Sequence, residues 1–354
     1  MKFLYLLLIL VPVTLGMEIA GVGSHPVMFI LSALSLIPLA AVLGNATEEV
    51  ALFTGQKIGG LLNATLGNAA ELIITIVALR EGLVNVVKAS IAGSIIGNIL
   101  VVLGAAVLLG GIRNGEQSFD EKVASTNASM MSLAVIVMMI PAVFYLAPAD
   151  ATMSHDDLIK LSDGSAVVLI VLYVLYLVYT LFTKSGQAEA PHFDPPATHD
   201  RKVLYRAIGL LLVSTLAIVF MSEILVGALE PTAEQWGLSD LFVGVMLVPL
   251  VGNIAEHLVA VQTALKNKMD LTIGIAVGSG IQIALFVAPV LVLVSQFVGP
   301  QPMSLIFNNY ELAALVGAVL IATLVSVDGR TNWLEGAQLL ALYAVVALAF
   351  YYVP

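Results

Sequence analysis

Two short stretches of the sequence each place a carboxylate inside a long apolar run. They read GNAAE, ending at Glu71, and GNIAEH, which contains Glu256. Asn68 and Asn253 precede the two acids by three positions, so each Asn shares a helix face with its Glu. An ionised carboxylate near the centre of a bilayer costs roughly 2.5–3.5 kcal/mol. No Lys or Arg lies in the middle of an apolar run, which leaves protons or cations as partners of these acids.

Side-chain oxygens also recur on the segment that follows each motif. Ser90, Ser94 and Asn98 form a stripe at spacing four, and Ser279 and Gln282 lie three apart. Carboxylate, amide and hydroxyl oxygens suit a hard cation, and Ca²⁺ takes six to eight of them. The alternative is that Asn and Ser only join helices by hydrogen bonds. For Asn98 both interpretations stay open.

Other ionisable residues in the apolar runs are candidates for a proton or cation pathway. His257 follows Glu256 directly and is a candidate proton relay, although adjacent helix positions face different ways. Glu48, Glu49 and Glu223 either line an entry path or pair with loop cations. Glu311 begins an apolar run, where an acid complements a helix N-terminus, and we predict a structural role for it.

The composition places all these residues in a membrane. The chain is 60% hydrophobic and 11% charged, with a mean hydropathy of +1.02, whereas a soluble protein carries about 25% charged residues. The net charge of −10 argues against a nucleic-acid partner. The chain has no Cys, no nucleophile–base constellation and no phosphate-binding loop, so we predict neither an enzyme nor a bound cofactor. We therefore expect the chain to lie in a lipid bilayer.

Apolar runs and their breaks predict an all-α integral membrane protein with eleven transmembrane helices. They lie near residues 3–20, 26–53, 61–80, 86–112, 123–147, 164–183, 203–228, 240–265, 271–298, 311–327 and 333–353. The first run also fits a cleaved signal peptide. Eleven of the fourteen Lys and Arg residues fall on the side that holds the N-terminus. This predicts a cytoplasmic N-terminus and a C-terminus outside.

The two carboxylate motifs belong to an internal repeat. The pattern Gly-Asn-x-Ala-Glu at residues 67–71 recurs 185 positions later, at residues 252–256. Gly93-Ser94 recurs at the same offset as Gly278-Ser279. Five spans separate the copies, so they cross the membrane in opposite directions, as in many transporters. We predict a first helix (1–20), two inverted five-helix halves (21–183 and 203–354) and a cytoplasmic linker (184–202).

The chemistry of the two acids points to exchange. Protons and a cation compete for the same carboxylate oxygens, and a site that must carry one or the other before it reorients becomes an antiporter. Pro249 is expected to loosen the second motif's helix, as in broken transporter helices. A channel is the less favoured alternative, because central protonatable acids in inverted repeats suit alternating access.

The sequence resembles a known family. GNAAELIITIVALREGLVNVVKASIAGSIIGNILVVLG is similar to the first repeat of calcium/proton exchangers, the cation/proton branch of the calcium/cation antiporter superfamily, and GNIAEHLVAV with GSGIQIALFVAPVLVL is similar to the second. The resemblance covers spans two to eleven and implies eleven helices. Two features depart from the family's pattern. Ile254 stands where the family commonly has a small Ala, and the linker lacks the dense acidic run of many eukaryotic members.

The resemblance implies a site and a cargo. Glu71 and Glu256 match the shared Ca²⁺ and H⁺ ligands, and Asn68 and Asn253 match the flanking amides. The matching polar positions on the following helices are Ser94, Asn98, Ser279 and Gln282. The expected function is export of cytoplasmic Ca²⁺ for H⁺ across a prokaryotic plasma membrane, with a homo-oligomer possible. A sodium/calcium exchanger and a manganese/proton exchanger of the same fold stay open.

Overall fold

The computed structural model describes residues 4–146, 154–182 and 201–353, and these residues are almost entirely helical. A 3-10 helix, Leu4–Ile9, opens the chain. The α-helices are α1 (Leu10–Ala20), α2 (His25–Thr54), α3 (Gln56–Leu66), α4 (Ala69–Arg80), α5 (Val84–Gly97), α6 (Gly104–Asn114), α7 (Glu121–Tyr145), α8 (His155–Phe182), α9 (Arg201–Trp236), α10 (Asp240–Phe242), α11 (Val248–Leu265), α12 (Met269–Gln282), α13 (Ala288–Val294), α14 (Asn309–Ser326) and α15 (Trp333–Tyr352). Three π-helical segments join some of them: π1 (Asn98–Leu103), π2 (Val243–Leu247) and π3 (Ile283–Val287).

Eight helices among the described residues are long and apolar enough to cross a membrane. Two more spans arise if each bent helix pair counts as one: residues 58–66 with 69–80, bent by 40°, and residues 240–254 with 256–265, bent by 65°. The first predicted span corresponds to a shorter apolar helix, Tyr5–Ala20. The described chain thus has eight to ten membrane-length helices, and the predicted eleven include that shorter one.

The first compact unit comprises residues 1–78 and 172–237. Its centre is the pair α2 and α9, which pack along each other. Ser32 and Ser222 are fully buried on these helices, and each hydroxyl donates to a carbonyl of the preceding turn. The edge of the Phe29 ring meets the Trp236 ring, with centroids 6.0 Å apart. These two buried hydroxyls are therefore satisfied within their own helices, as the absence of water from the hydrocarbon core requires.

The second compact unit comprises residues 79–171 and 238–354. Ile95, Ile96 and Ile99 at the α5–π1 junction are fully buried in its core. Where α15 crosses α6, a Cβ placed on Gly336 would lie 2.7 Å from the carbonyl oxygen of Gly104. Lipid tails are as apolar as Leu, so close packing of small residues, rather than hydrophobicity, holds such helices together.

The compact units differ from the predicted repeat halves. Each unit takes helices from both sides of the linker, and the halves 21–183 and 203–354 stay a prediction. Of the predicted linker, residues 184–200 lie outside the described part of the chain.

The loops at the predicted cytoplasmic end of the second unit are joined by hydrogen bonds. β1 (Gln117–Ser118) pairs antiparallel with β2 (Arg330–Thr331). The Gln117 amide donates to the carbonyl of Ala264 (3.0 Å) and to Asn267 Oδ1 (2.8 Å). Three loops, those before α7, α12 and α15, therefore contact one another at this end.

At the predicted outer end, an irregular segment over residues 303–307 packs into the second unit. The N–H of Leu305 donates to Ser162 Oγ (3.1 Å), and Lys88 Nζ donates to the carbonyl of Ile306 (3.0 Å). Side chains thus satisfy backbone groups that no helix pairs, as buried irregular backbone in a membrane protein requires.

Glu311 has the structural role that the sequence predicted. Its carboxylate accepts from the N–H of Asn308 (2.8 Å), and Asn308 Oδ1 accepts from the N–H of Glu311 (2.8 Å). The pair forms a capping box that begins α14.

Candidate cation-binding site

The first motif lies at a helix break in the first unit. Asn68 immediately precedes α4, and Glu71 is the third residue of that helix. The carbonyl of Asn68 accepts the N–H of Leu72 (3.0 Å), so Asn68 begins the helical hydrogen-bond pattern. The unpaired N–H groups of a first helical turn create a positive field that favours a carboxylate. Asn68 and Glu71 are both buried, with 1% and 8% of their surface exposed.

The second motif lies on α11 in the second unit. The Asn253 amide group donates to Ser94 Oγ (3.2 Å) and to the carbonyl of Pro249 (3.0 Å). Pro249 is the second residue of α11, and α11 follows π2 directly. The predicted loosening of this helix therefore takes the form of a π segment before Pro249 and of the 65° bend after Ile254.

A second set of contacts links three helical segments beside Asn253. The Asn98 amide group donates to Ser279 Oγ (3.1 Å), and the Ser279 side chain lies next to the Glu256 carboxylate. Asn98 begins π1, whereas Ser279 belongs to α12 and Glu256 to α11. The predicted role of Asn98 in joining helices is thus present, because its NH₂ group contacts a serine of another helix.

Among the described residues, the side-chain oxygens of these two Asn residues and one carboxylate oxygen of Glu256 lack hydrogen-bond donors. Within the part of the chain that the structure describes, three of the site's buried oxygens accept no hydrogen bond: Asn98 Oδ1, Asn253 Oδ1 and Glu256 Oε2. A buried polar atom without a partner costs about 1–3 kcal/mol. Both amide groups donate to serines, and that of Asn253 also donates to a carbonyl, whereas their oxygens accept no hydrogen bond in the described structure. An oxygen-lined site of this kind suits a hard cation.

A small cavity adjoins these groups. It is lined by Gly93, Ser94, Gly97, Asn98, Val101, Val245, Met246, Pro249, Leu250, Asn253, His257 and Tyr343. His257 therefore faces the same cavity as Asn253, although it follows Glu256 in sequence. Tyr343 on α15 was not predicted from the sequence, because it lies in an unbroken apolar run with no polar neighbour.

The cavity depends on a close approach of α5 and π2. A side chain on Gly93 would overlap the backbone carbonyl of Val245. Gly93 is therefore required as the contact point between the helix that carries Ser94 and the segment that precedes Pro249. The π segments flank the site residues: π1 begins at Asn98 and π3 follows Gln282. Wide turns of this kind are frequent at functional sites.

The remaining predicted residues lie elsewhere. Gln282 ends α12, is half-buried, and is not among the described residues that line the cavity. Glu48 and Glu49 lie on α2, and Glu223 lies on the partner helix α9. Glu48 and Glu223 are exposed and Glu49 is half-buried. Among the described residues, no three His, Asp or Glu side chains form a cluster that could hold a metal. The candidate site therefore depends on amide and hydroxyl oxygens as well as carboxylates.

A chain whose described residues are almost entirely helical, with eight to ten membrane-length helices and with oxygens buried among them, has the architecture of a multi-pass membrane protein. The sodium/calcium exchanger protein family matches residues 24–182 and 206–352. The chain therefore belongs to that family.

Individual relatives match along almost the whole chain. A Ca(2+)/H(+) antiporter of Synechocystis sp. is 46% identical over 368 residues, covering 100% of this chain and 98% of the relative. The Ca(2+)/H(+) antiporter ChaA of Bacillus subtilis is 40% identical over 351 residues, covering 96% and 97%. The solved structure of the selenium-substituted Ca2+/H+ antiporter protein YfkE is 38% identical and superimposes with a TM-score of 0.85, covering 100% of both chains.

Proposed function

We propose that this protein is a secondary active antiporter that exports cytoplasmic Ca²⁺ in exchange for protons. The observation that carries the proposal is the set of buried acceptor oxygens on Asn98, Asn253 and Glu256 that accept no hydrogen bond in the described structure. Antiporters of the same chemistry at 46% and 40% identity over nearly the full chain support the choice of ions.

In this proposal Glu71 and Glu256 are the shared ligands of Ca²⁺ and H⁺. Asn68 and Asn253 supply amide oxygens, and Ser94, Asn98, Ser279 and Gln282 are the further polar positions. Two carboxylates match the charge of one divalent ion, and both acids are held at a bend in a helix. Calcium is the cargo rather than a resident cofactor, and no cofactor is needed.

Competition for the same oxygens couples the two ions. When Ca²⁺ leaves, the buried carboxylates no longer have a positive partner, so they take up protons before the site reorients. His257 faces the cavity beside Asn253 and is the proposed proton relay. Glu48, Glu49 and Glu223 are the proposed pathway acids, because an acid on a membrane-length helix needs water, a proton or a cation beside it.

The proposed architecture is eleven spans: one N-terminal helix and two inverted five-helix halves. Support comes from the wide turns, because π1 and π3 begin at residues 98 and 283, which are related by the same offset of 185 as the motifs. The proposed orientation has the N-terminus in the cytoplasm and the C-terminus outside, in the plasma membrane of a prokaryote. Assembly into a homo-oligomer remains a prediction, as does the absence of a nucleic-acid partner.

The deciding experiment measures Ca²⁺ uptake into proteoliposomes under an imposed pH gradient, with a Na⁺ gradient in parallel. Proton-driven uptake is expected for the wild type, and Glu71→Gln and Glu256→Gln should each reduce it to background. Glu121→Gln, at an exposed position of α7, is the matched control and should transport normally. Uptake driven by Na⁺ alone would instead support the sodium/calcium alternative, and competition by Mn²⁺ tests the manganese alternative.

A further inference from the structure

Tyr173 on α8 makes a buried contact with the helix that precedes Glu71. Its side chain is only 3% exposed, and its hydroxyl donates to the carbonyl oxygen of Ala64 (3.0 Å). All of these residues belong to the first compact unit.

The carbonyl of Ala64 lies near the end of α3, just before the bend that leads into α4. It is in the last turn of α3, four residues before Asn68, so a continuous α-helix would pair it with the N–H of Asn68. The chain instead bends by 40° between residues 58–66 and 69–80. Carbonyls in the last turn of a helix need partners from outside the helix. The Tyr173 hydroxyl is such a partner.

A second contact fixes the same two helices. A Cβ placed on Gly60 would lie 2.7 Å from Leu181 Cδ2, so α3 and α8 approach closely one helical turn before Ala64. Two contact points, at Gly60 and at Ala64, determine both the position and the rotation of the end of α3. The polar contact, at Ala64, depends only on the hydroxyl group of Tyr173.

We propose that Tyr173 is a positioning residue for the candidate site. By binding the carbonyl of Ala64, its hydroxyl holds the bend between α3 and α4 and so sets the direction in which the Asn68 and Glu71 oxygens point. This inference rests on the proposed function, because it assigns Tyr173 to the ion site through the two residues that it orients.

The first test replaces only the hydroxyl. Tyr173→Phe is expected to raise the half-saturating Ca²⁺ concentration for proton-driven uptake about three- to tenfold while the maximal rate changes less than twofold. The matched control is Tyr205→Phe, whose ring is 66% exposed on α9 of the same unit, and its kinetics should equal those of the wild type. An unchanged half-saturating concentration in Tyr173→Phe would overturn the assignment.

A double-mutant cycle separates positioning from general stability. If Tyr173 acts through Asn68 and Glu71, adding Tyr173→Phe to Asn68→Ala should raise half-saturation by a smaller factor than adding it to the wild type, because one of the two side chains to be oriented is already missing. Independent multiplication of the two effects would mean that the hydroxyl only stabilises the fold, and would refute the proposal.

Amide hydrogen exchange gives a readout that does not need transport. Tyr173→Phe should speed exchange at residues 68–72 about tenfold, whereas the remainder of α8 should be unaffected. Equal exchange in wild type and variant would refute the positioning role even if the wild type exchanges Ca²⁺ for H⁺. Failure of the wild type to transport would instead refute the proposed function.

Discussion

At the scale of single residues, the candidate site is built from amides whose NH₂ groups donate to neighbouring serines. Asn98 and Asn253 each direct their NH₂ group at a serine, and this orients the amide oxygens as acceptors. Ser279 and Ser94 therefore orient the amides that donate to them, in addition to being candidate ligands themselves. Exchange of an amide for a carboxylate or an apolar group therefore changes both the charge and the orientation of the site.

Calcium binding should depend on pH through the two glutamates. We expect the calcium dissociation constant, measured at equilibrium in detergent, to rise as pH falls, because ligand carboxylates must lose their protons to bind the ion. If one Ca²⁺ displaces up to two protons, the constant rises by about ten- to a hundredfold per pH unit in the acidic range. Glu256→Gln should weaken binding and make the dependence shallower by about tenfold per unit. An unchanged slope in that variant would show that Glu256 does not exchange protons.

The Asn253 amide is expected to be more important than a nearby serine outside the cavity. Asn253→Ala removes one cavity oxygen and one partner of Ser94, so the half-saturating calcium concentration should rise at least about tenfold, or about 1.4 kcal/mol. Ser90→Ala is the matched control: Ser90 is buried on α5 but is not among the described cavity-lining residues, and its loss should change half-saturation less than twofold. Equal effects in Ca²⁺ titrations of uptake would contradict the assignment of the cavity.

The candidate site was only partly predictable at this scale. Asn253, Ser94, Asn98 and Ser279 could be identified because oxygen-bearing side chains recur at helical spacing beside a buried acid. Tyr343 could not, because a single Tyr in an apolar run carries no local signal. Its place in the cavity depends on how α15 packs against residues more than 80 positions away in the chain.

At the scale of secondary-structure elements, helices cross the second unit where glycines permit close contact. Gly93→Ala should overlap the backbone carbonyl of Val245 and destabilise the protein by about 1–3 kcal/mol. The apparent midpoint of thermal unfolding in detergent should fall by several degrees. Gly97→Ala, one turn further along α5, meets no atom within 4 Å and should leave the midpoint unchanged or slightly higher. A midpoint that falls equally in both variants would contradict the close contact.

The breaks within helices could be predicted only in part. The apolar runs gave most helix ends to within a few residues, because length and hydropathy decide what spans a bilayer. Two ends were wrong: α8 begins at residue 155 rather than 164, and α9 ends at residue 236 rather than 228, because their outermost turns carry charged residues that hydropathy excludes from a span. Pro249 indicated a weak point in the second motif's helix. The π segments had no such signal: a π turn is set by packing of the neighbouring helices, and no residue type is required within it.

At the scale of the whole molecule, the positive charges predict which ends face the cytoplasm. The loop with Glu116 is predicted inside and the loop with Gln301 outside, and both residues are exposed. Since the chain has no Cys, Glu116→Cys and Gln301→Cys each introduce a single thiol. A membrane-impermeant maleimide added to intact cells should label Gln301→Cys, whereas Glu116→Cys should require permeabilised cells. The reverse pattern would show that the charge bias gave the wrong orientation.

The wide turns π1 and π3 also carry information about the history of the chain. Each π turn holds one residue more than an α-helical path through the same place would need, so deleting one residue would rotate everything beyond it by about 100°. Both copies carry that extra residue at the same aligned position, 98 and 283, and the alignment passes through it without a gap. Under the predicted duplication, the extra residue was already present in the half-length ancestor before its two copies were joined.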